Sequence, residues 1–405
     1  MSENLMSNPK QREQLQPMHR RLAEVWWTAL KLGLTSFGGP VAHLGYFHNM
    51  YVKRKQWLDE KAYAELVALC QFLPGPASSQ VGIGIGIQRA GLWGGAAAWL
   101  GFTLPSVLLL ILFAMFIQGF DSTQIGALQG LKLVAVAIVA QAVMGMAGKL
   151  ASGTVRAGIA LGSMAVVLLW QSIWIQPAVI AVSGLVGYLI LKEKTKAEEV
   201  KAFAATLSLK SGMICLILFF VLLLGLPVLA SSSSLSWISI ADEFYRTGSL
   251  VFGGGHVVLP LLEAGTVQQG TVSANDFIAG YGAAQAVPGP LFTFAAYLGT
   301  LMQGLPGALL AAFFVFLPGF LLVVGILPVW SRIRQYPGLN QALGGVNAAV
   351  VGILFAALYD PIWTSTVINS LDLVIAAVLF LMLTVWKIPA WAVVAAGAAA
   401  GQLLL

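Results

Sequence analysis

Runs of about 20 apolar residues recur along the chain from residue 22 onward, each long enough to cross the ~30 Å hydrocarbon core of a bilayer. Only 9% of the residues are charged, where a soluble domain carries about 25%. Composition thus leaves no room for a separate soluble domain and predicts an all-α polytopic membrane protein. The 44 glycines suit close helix packing and interrupted helices. Cys70 and Cys215 stand far apart inside apolar stretches, as core residues rather than as a disulfide or metal pair. The polar residues 1–21 lack the pattern of a cleavable signal and read as a cytoplasmic tail.

A polar segment, 192–210, divides the chain, and an apolar span with a Ser-rich turn (211–236) follows it. On either side the same pattern is written twice. Residues 22–191 contain Ser36-Phe37-Gly38-Gly39-Pro40 and then Gln71-Phe72-Leu73-Pro74-Gly75-Pro76. Residues 237–405 contain Val251-Phe252-Gly253-Gly254-Gly255 and then Gln285-Ala286-Val287-Pro288-Gly289-Pro290. Phe37 and Phe252 lie 215 residues apart, Gln71 and Gln285 214, Pro105 and Pro318 213. A register kept over so long a stretch is an internal repeat. The cations orient it. Lys10, Arg12, Arg20 and Arg21, then Lys53-Arg54-Lys55, place the N-terminus and the first polar turn in the cytoplasm. The matching turn of the second copy, Gln268-Gln269-Gly270, is uncharged; the Asp121 loop of the first copy is matched by a loop with Arg332 and Arg334. The two halves are therefore predicted to be inverted in the membrane, with the C-terminus outside.

Inverted repeats with short, Gly/Pro-interrupted apolar segments point to a transporter site. Segment 22–36 would be about 22 Å long as a helix, too short to cross alone. Gly38-Gly39 ends it, and Pro40 suits the first position of a new helix. A second break falls at Pro74-Gly75-Pro76, after which Ala77 opens a helix whose free N–H groups Ser78 and Ser79 can satisfy. Asp59 and Ser273 stand at matched N-cap positions. Such breaks form re-entrant hairpins and leave helix N-termini, with unpaired donors and partial positive charge, at membrane depth. Four starts, Pro40, Ala77, Gly255 and Leu291, could hold an anion; the bland alternative is that they are only tight interhelical turns.

Lys31 and Arg246 each lie six residues before the repeated Phe, so symmetry puts one cation in each half, where a dianion could match both. Each would be unfavourable at membrane depth unless paired. The alternatives are snorkelling of Lys31 to an interface and pairing of Arg246 with Asp242 or Glu243. Gln71 and Gln285 can donate to an oxyanion or cap the adjoining turn. With Gly38, Gly39, Pro40, Gly75, Ser78, Ser79, Gln80, Gly254, Gly255, His256, Gly289 and Thr293 they make up the candidate substrate site. His43, Glu65, Glu263 and also His256 are candidates for carrying a proton, against the common role of a lone His as a packing residue. Lys132, matched by Asn347, and Arg89 are left to gating or pairing. No metal is expected: His19, His43, His48, His256 and the two cysteines have no ligand spacing. No phosphate-binding loop appears, so neither a cofactor, a membrane-embedded reductase nor direct ATP coupling is expected, and nucleic acid is no expected partner.

With Phe-Gly-Gly-Pro, Pro-Gly-Pro-Ala-Ser-Ser-Gln, Phe-Gly-Gly-Gly-His-Val-Val-Leu-Pro and the second Pro-Gly-Pro in order, the chain resembles the chromate ion transporter family in its long, two-domain form. The likeness covers roughly residues 22–404, and the family's motif residues fall on Phe37 to Pro40, Pro74 to Gln80, Phe252 to His256 with Pro260, and Pro288 to Pro290. Gly255 departs from symmetry by standing where the first half has Pro40. The resemblance implies efflux of chromate across a bacterial inner membrane and chromate resistance, with sulfate as the structural analogue. The residues alone reach only an oxyanion transporter; sulfate or molybdate uptake, anion exchange and an anion channel use the same features. Homodimers are common among such folds.

Overall fold

A computed structural model describes residues 17–118, 126–170, 172, 175–191, 207–233, 235–252, 255–333 and 336–404. Gly254, the Asp121 loop and Arg334, singled out above, lie outside the described residues, as does most of the polar linker. The described residues are helical and contain no strand.

The first half runs α1 (Met18–Thr35), α2 (Gly39–Phe47, prolonged by a π-helical turn His48–Arg54), α3 (Glu60–Phe72), α4 (Ala77–Gln118), α5 (Gly126–Leu150), α6 (Thr154–Leu169) and α7 (Ile175–Ile190). After α8 (Leu209–Ser232) the second half repeats the order. It runs α9 (Ser236–Leu250), a 3₁₀ turn Gly255–Val257 leading into α10 (Val258–Thr266), and α11 (Ala274–Ala284). A 3₁₀ turn Leu291–Thr293 then leads into α12 (Phe294–Ile326), followed by α13 (Pro337–Ala357), α14 (Ser370–Thr384) and α15 (Ala390–Leu404). Helices around α4, α5, α8, α12 and α13 are long and apolar enough to cross a membrane; α1, α2, α3, α9, α10 and α11, which border the Gly/Pro breaks, are not.

Local chemistry sets these ends. Gly38 (φ 94°) and Gly39 (φ 77°) turn the backbone into the left-handed region at the end of α1, where a side chain would be strained. Pro40 then sits in the first turn of α2, as the sequence predicts. The Asp59 carboxylate accepts from the Ala62 N–H at 2.8 Å and the Ser273 hydroxyl from the Asp276 N–H at 3.1 Å, so the two predicted N-caps are in place. The Pro-Gly-Pro turns bend at Gly75 (φ 114°) and Gly289 (φ 99°).

A third break divides α4 and α12. Ala90 and Gly91 (φ/ψ −144°/29° and 65°/−160°) have nearly the same angles as Gln303 and Gly304 (−146°/27° and 62°/−150°). Each helix is in fact a hairpin of a short arm and a long arm, with Gly86 packed on the Gly94 backbone and Gly299 on that of Gly307. The short arms, 77–89 and 291–302, complete the re-entrant excursions that start at α3 and α11.

The halves exchange their bundle helices. α5 packs along α15 and α14 of the second half, while α13 packs along α7 and α6 of the first. Gly130 lies against the Gly397 backbone and Gly345 against that of Ser183, close approaches that only glycine allows. α1 packs along the long arm of α4, and α9 along that of α12. α8 has no counterpart in the first half; it lies against α9 and α12.

Candidate functional site

The breaks of the two halves meet. The Gly75 N–H donates to the Val251 carbonyl at 2.8 Å, and the Gly289 N–H to the Ser36 carbonyl at 2.9 Å. Each Pro-Gly-Pro turn is thus pinned to the glycine break of the other half by the same bond. His43 reinforces one junction: its Nε2 is 3.2 Å from the Ser36 carbonyl and its Nδ1 3.3 Å from the Ser78 hydroxyl. With both ring nitrogens engaged and the ring edge-on to Phe102, His43 braces two helix starts. At the same junction the Ser106 hydroxyl donates to the Pro288 carbonyl. Gln80 Nε2 donates to the Pro74 carbonyl at 2.8 Å and holds the first Pro-Gly-Pro turn.

Next to these junctions lies a cavity of about 90 Å³, lined by Gly38, Gly39, Pro40, Ile138, Gln141, His256, Ala284, Gln285, Val287, Gly289, Leu291 and Ala390. A single water needs roughly 10–15 Å³ on that measure, so the space admits a polyatomic guest. Two of the four predicted helix starts, Pro40 and Leu291, line it, and a third, Gly255, adjoins them at 3.2 Å from Pro40 and 3.7 Å from Leu291, measured from where its Cβ would be. No side chain caps the start of α2, so its first N–H groups keep their donors for a ligand. The fourth start, at Ala77, is outside the cavity.

The side chains at the cavity are mostly donors. Gln285 Nε2 is buried beside the Tyr281 hydroxyl without meeting any acceptor in good hydrogen-bond geometry among the described residues, so a ligand or water would complete it. His256 Nδ1 lies 2.7 Å from the Tyr281 hydroxyl. When that hydroxyl donates, the imidazole proton sits on Nε2, the nitrogen left for a guest. Gln141 spends its amide N–H on the Leu383 carbonyl at 3.3 Å. Among the described residues no lysine or arginine lines the cavity.

The other predicted residues fall elsewhere. Lys31 is exposed on α1, and Arg246 pairs with Asp242 at 2.9 Å and Glu243 at 3.2 Å. Gln71 is exposed, unlike its partner in the repeat. Ser78, Ser79 and Thr293 are buried; Thr293 donates to the Pro290 carbonyl at 2.7 Å, closing its own turn. Glu65 is buried in α3. Glu263 accepts from Gln268 at 3.1 Å and borders a separate cavity of about 170 Å³ with Gln176 and Asp360. Sequence reading missed Gln141, Tyr281 and Ser106, which come from helices far along the chain. It divides the chain between the returning stretch 57–90 and a single span from about 93, and the break at Ala90-Gly91 falls there.

Comparison with known proteins agrees with this architecture. The family model for the chromate transporter matches residues 23–188 and again 238–402, one copy per half. The chain is 30% identical over 343 residues to a chromate transport protein of Cupriavidus metallidurans, covering 81% of this chain and 80% of that one. It is 29% identical over 349 residues to a probable chromate transport protein of Synechococcus elongatus, 81% of each. A chromate transport protein of Pseudomonas aeruginosa is 27% identical over 334 residues, 82% of this chain and 79% of that one. No solved structure matches. Matched twice along its length and similar over about four-fifths of it to named relatives, this multi-pass membrane protein belongs to the chromate transporter family.

Proposed function

We propose that the chain carries chromate out of the cell, binding the dianion in the cavity where the helix breaks of the two halves meet. The observation that carries this is Gln285 Nε2, buried without an acceptor in good hydrogen-bond geometry beside the helix starts at Pro40 and Leu291. A tetrahedral oxyanion supplies the acceptors that these donors lack. Neutral dipoles fixed in a low-dielectric site hold an anion without the desolvation penalty of a buried cation. Contact thereby falls to Gln285, His256 and the backbone N–H groups at Gly39 and Leu291, while Lys31 acts on the approach to the site and Arg246 holds Asp242 and Glu243. An interior-negative potential favours outward anion movement by ~2.3 kcal/mol per charge per 100 mV, which supports efflux and hence resistance. The halves are inverted relative to each other, with Lys53-Arg54-Lys55 cytoplasmic and Gln268-Gln269-Gly270 outside.

The test is flux into proteoliposomes under a defined potential, with chromate and sulfate compared for the wild type and Gln285→Ala. Chromate flux that follows the potential and collapses in the variant is the expected result. Equal flux of chromate in both proteins would overturn the site, and sulfate flux without chromate flux would replace the substrate. Sulfate is a tetrahedral dianion as well, so the donors described here serve either ion.

A further inference from the structure

The repeat is kept in sequence but broken in packing. α11 lays one face, Asn275, Ile278, Gly282 and Gln285, against α5: Gly282 meets the Leu131 backbone, and Lys132 Nζ donates to Asn275 Oδ1 at 3.1 Å. Ile278 and Gly282 are buried there. In the first half the matching residues of α3, each 214 positions earlier, are Lys61, Ala64, Ala68 and Gln71. They form the same i, i+3, i+7, i+10 face, and all four are exposed. The helix that should receive them, α13, offers Val346 and Asn347 where α5 has Leu131 and Lys132, 215 positions earlier. α3 does not pack along it in the manner of α11 on α5.

One detail makes the empty contact specific. In the formed contact the lysine is on the bundle helix and the asparagine on the hairpin helix. In the unformed one the two residue types have changed places: Asn347 is on the bundle helix and Lys61 on the hairpin helix. Donor and acceptor remain matched although the helices that carry them are exchanged. The repeat has diverged nearby, with Ala62 matching Asp276 and Pro40 matching Gly255, so nothing obliges this pair to persist.

We infer that Lys61 and Asn347 form a second latch, closed in a conformation in which α3 seats on α13 and α11 leaves α5. Its bond is the counterpart of the Lys132–Asn275 bond, with the Lys61 ammonium donating to the Asn347 carbonyl oxygen. The present structure is then one of two states: the Lys132 side is shut over Gln285, and the Lys61 side is open along Gln71. Inverted halves make the two states near mirror-equivalents in the membrane, which is what alternate exposure of one central site requires. The latch presupposes a transporter, yet the conformations can be read without any anion being carried.

The experiment places cysteine pairs in the full-length protein in membrane vesicles, with Cys70 and Cys215 replaced by alanine. Lys61→Cys with Asn347→Cys tests the unformed latch; Lys132→Cys with Asn275→Cys tests the formed one. A short, cleavable bifunctional thiol reagent should link each pair in a fraction of molecules, and chromate or sulfate should change the two fractions in opposite directions. In a chain carrying all four cysteines, linking one pair should exclude the other. Failure of the Lys61/Asn347 pair to link under any potential or anion, while the other links fully, would overturn the inference, as would both links in one molecule. Flux gives a second measurement. Asn347→Leu should slow transport by about tenfold, within the span of conformational coupling between sites, and Lys61→Asn combined with Asn347→Lys should restore it. An exchange variant as slow as Asn347→Leu would also overturn the latch.

Discussion

Arg246 and Gln285 occupy opposite electrostatic situations, and substitution should separate them. Arg246 is held by two carboxylates within the helical core. Removing it leaves Asp242 and Glu243 buried beside each other without a cation, which costs about 3–5 kcal/mol when a buried pair is broken. Arg246→Ala is thus expected to lower the melting temperature of the purified protein sharply, read by thermal denaturation in detergent. Gln285→Leu keeps the volume, removes an N–H that meets no acceptor in good geometry, and should leave the melting temperature near that of the wild type or above it. The same change should abolish chromate binding, measured by equilibrium dialysis. Lys31→Ala, on an exposed position of α1, should reduce flux less than Gln285→Leu and more at low salt than at high salt, because an exposed charge acts through a screened field. Flux lost equally in Lys31→Ala at every ionic strength would instead mean direct contact with the anion.

At the level of elements, the breaks were the most legible part of the sequence. Gly38-Gly39-Pro40 and the two Pro-Gly-Pro turns announce themselves because they are backbone signals: φ values that only glycine accepts easily, and a ring that removes a donor. Asp59 and Ser273 were readable as caps for the same local reason. What joins the elements was not readable. Nothing near Gly289 in the chain says that its N–H meets the Ser36 carbonyl, and the cation pair inferred from symmetry lies outside the cavity because symmetry gives matched positions without saying which way a side chain points. The third break carries a weaker mark, Gln88-Arg89 before Ala90-Gly91 in one half and Gln303-Gly304 before Pro306 in the other. The junctions predict a measurable sensitivity. A Cβ on Gly289 would run into the Ser106 hydroxyl, and φ near 99° would strain it. Gly289→Ala should therefore impair both stability and flux, and the combination with Ser106→Gly should recover part of the stability. Melting temperatures of the single and double variants check this.

For the whole molecule, orientation is the quantity to test. Arg54→Cys and Gln269→Cys occupy corresponding turns of the two halves. A membrane-impermeant thiol reagent applied from one side of intact cells should label Gln269→Cys alone, and inside-out vesicles should give the opposite result. Labelling of both from the same side would overturn the inverted arrangement and with it the mirror relation of the two halves. The duplication itself could be read from the sequence because identical motifs recur at nearly constant spacing, and the loop charges supplied a direction for each copy. The crossing of helices between the halves could not, since a repeat in sequence is equally compatible with two bundles standing side by side.

That crossing bears on how such a protein can be assembled. α5 finds α14 and α15 only in the other half, and α13 finds α6 and α7 only in the first. Severing the chain between Leu191 and Leu207 should therefore give two pieces that are each incomplete when made alone, yet clasp one another when made together. Neither piece is a smaller edition of the whole; each is a mould for its sibling.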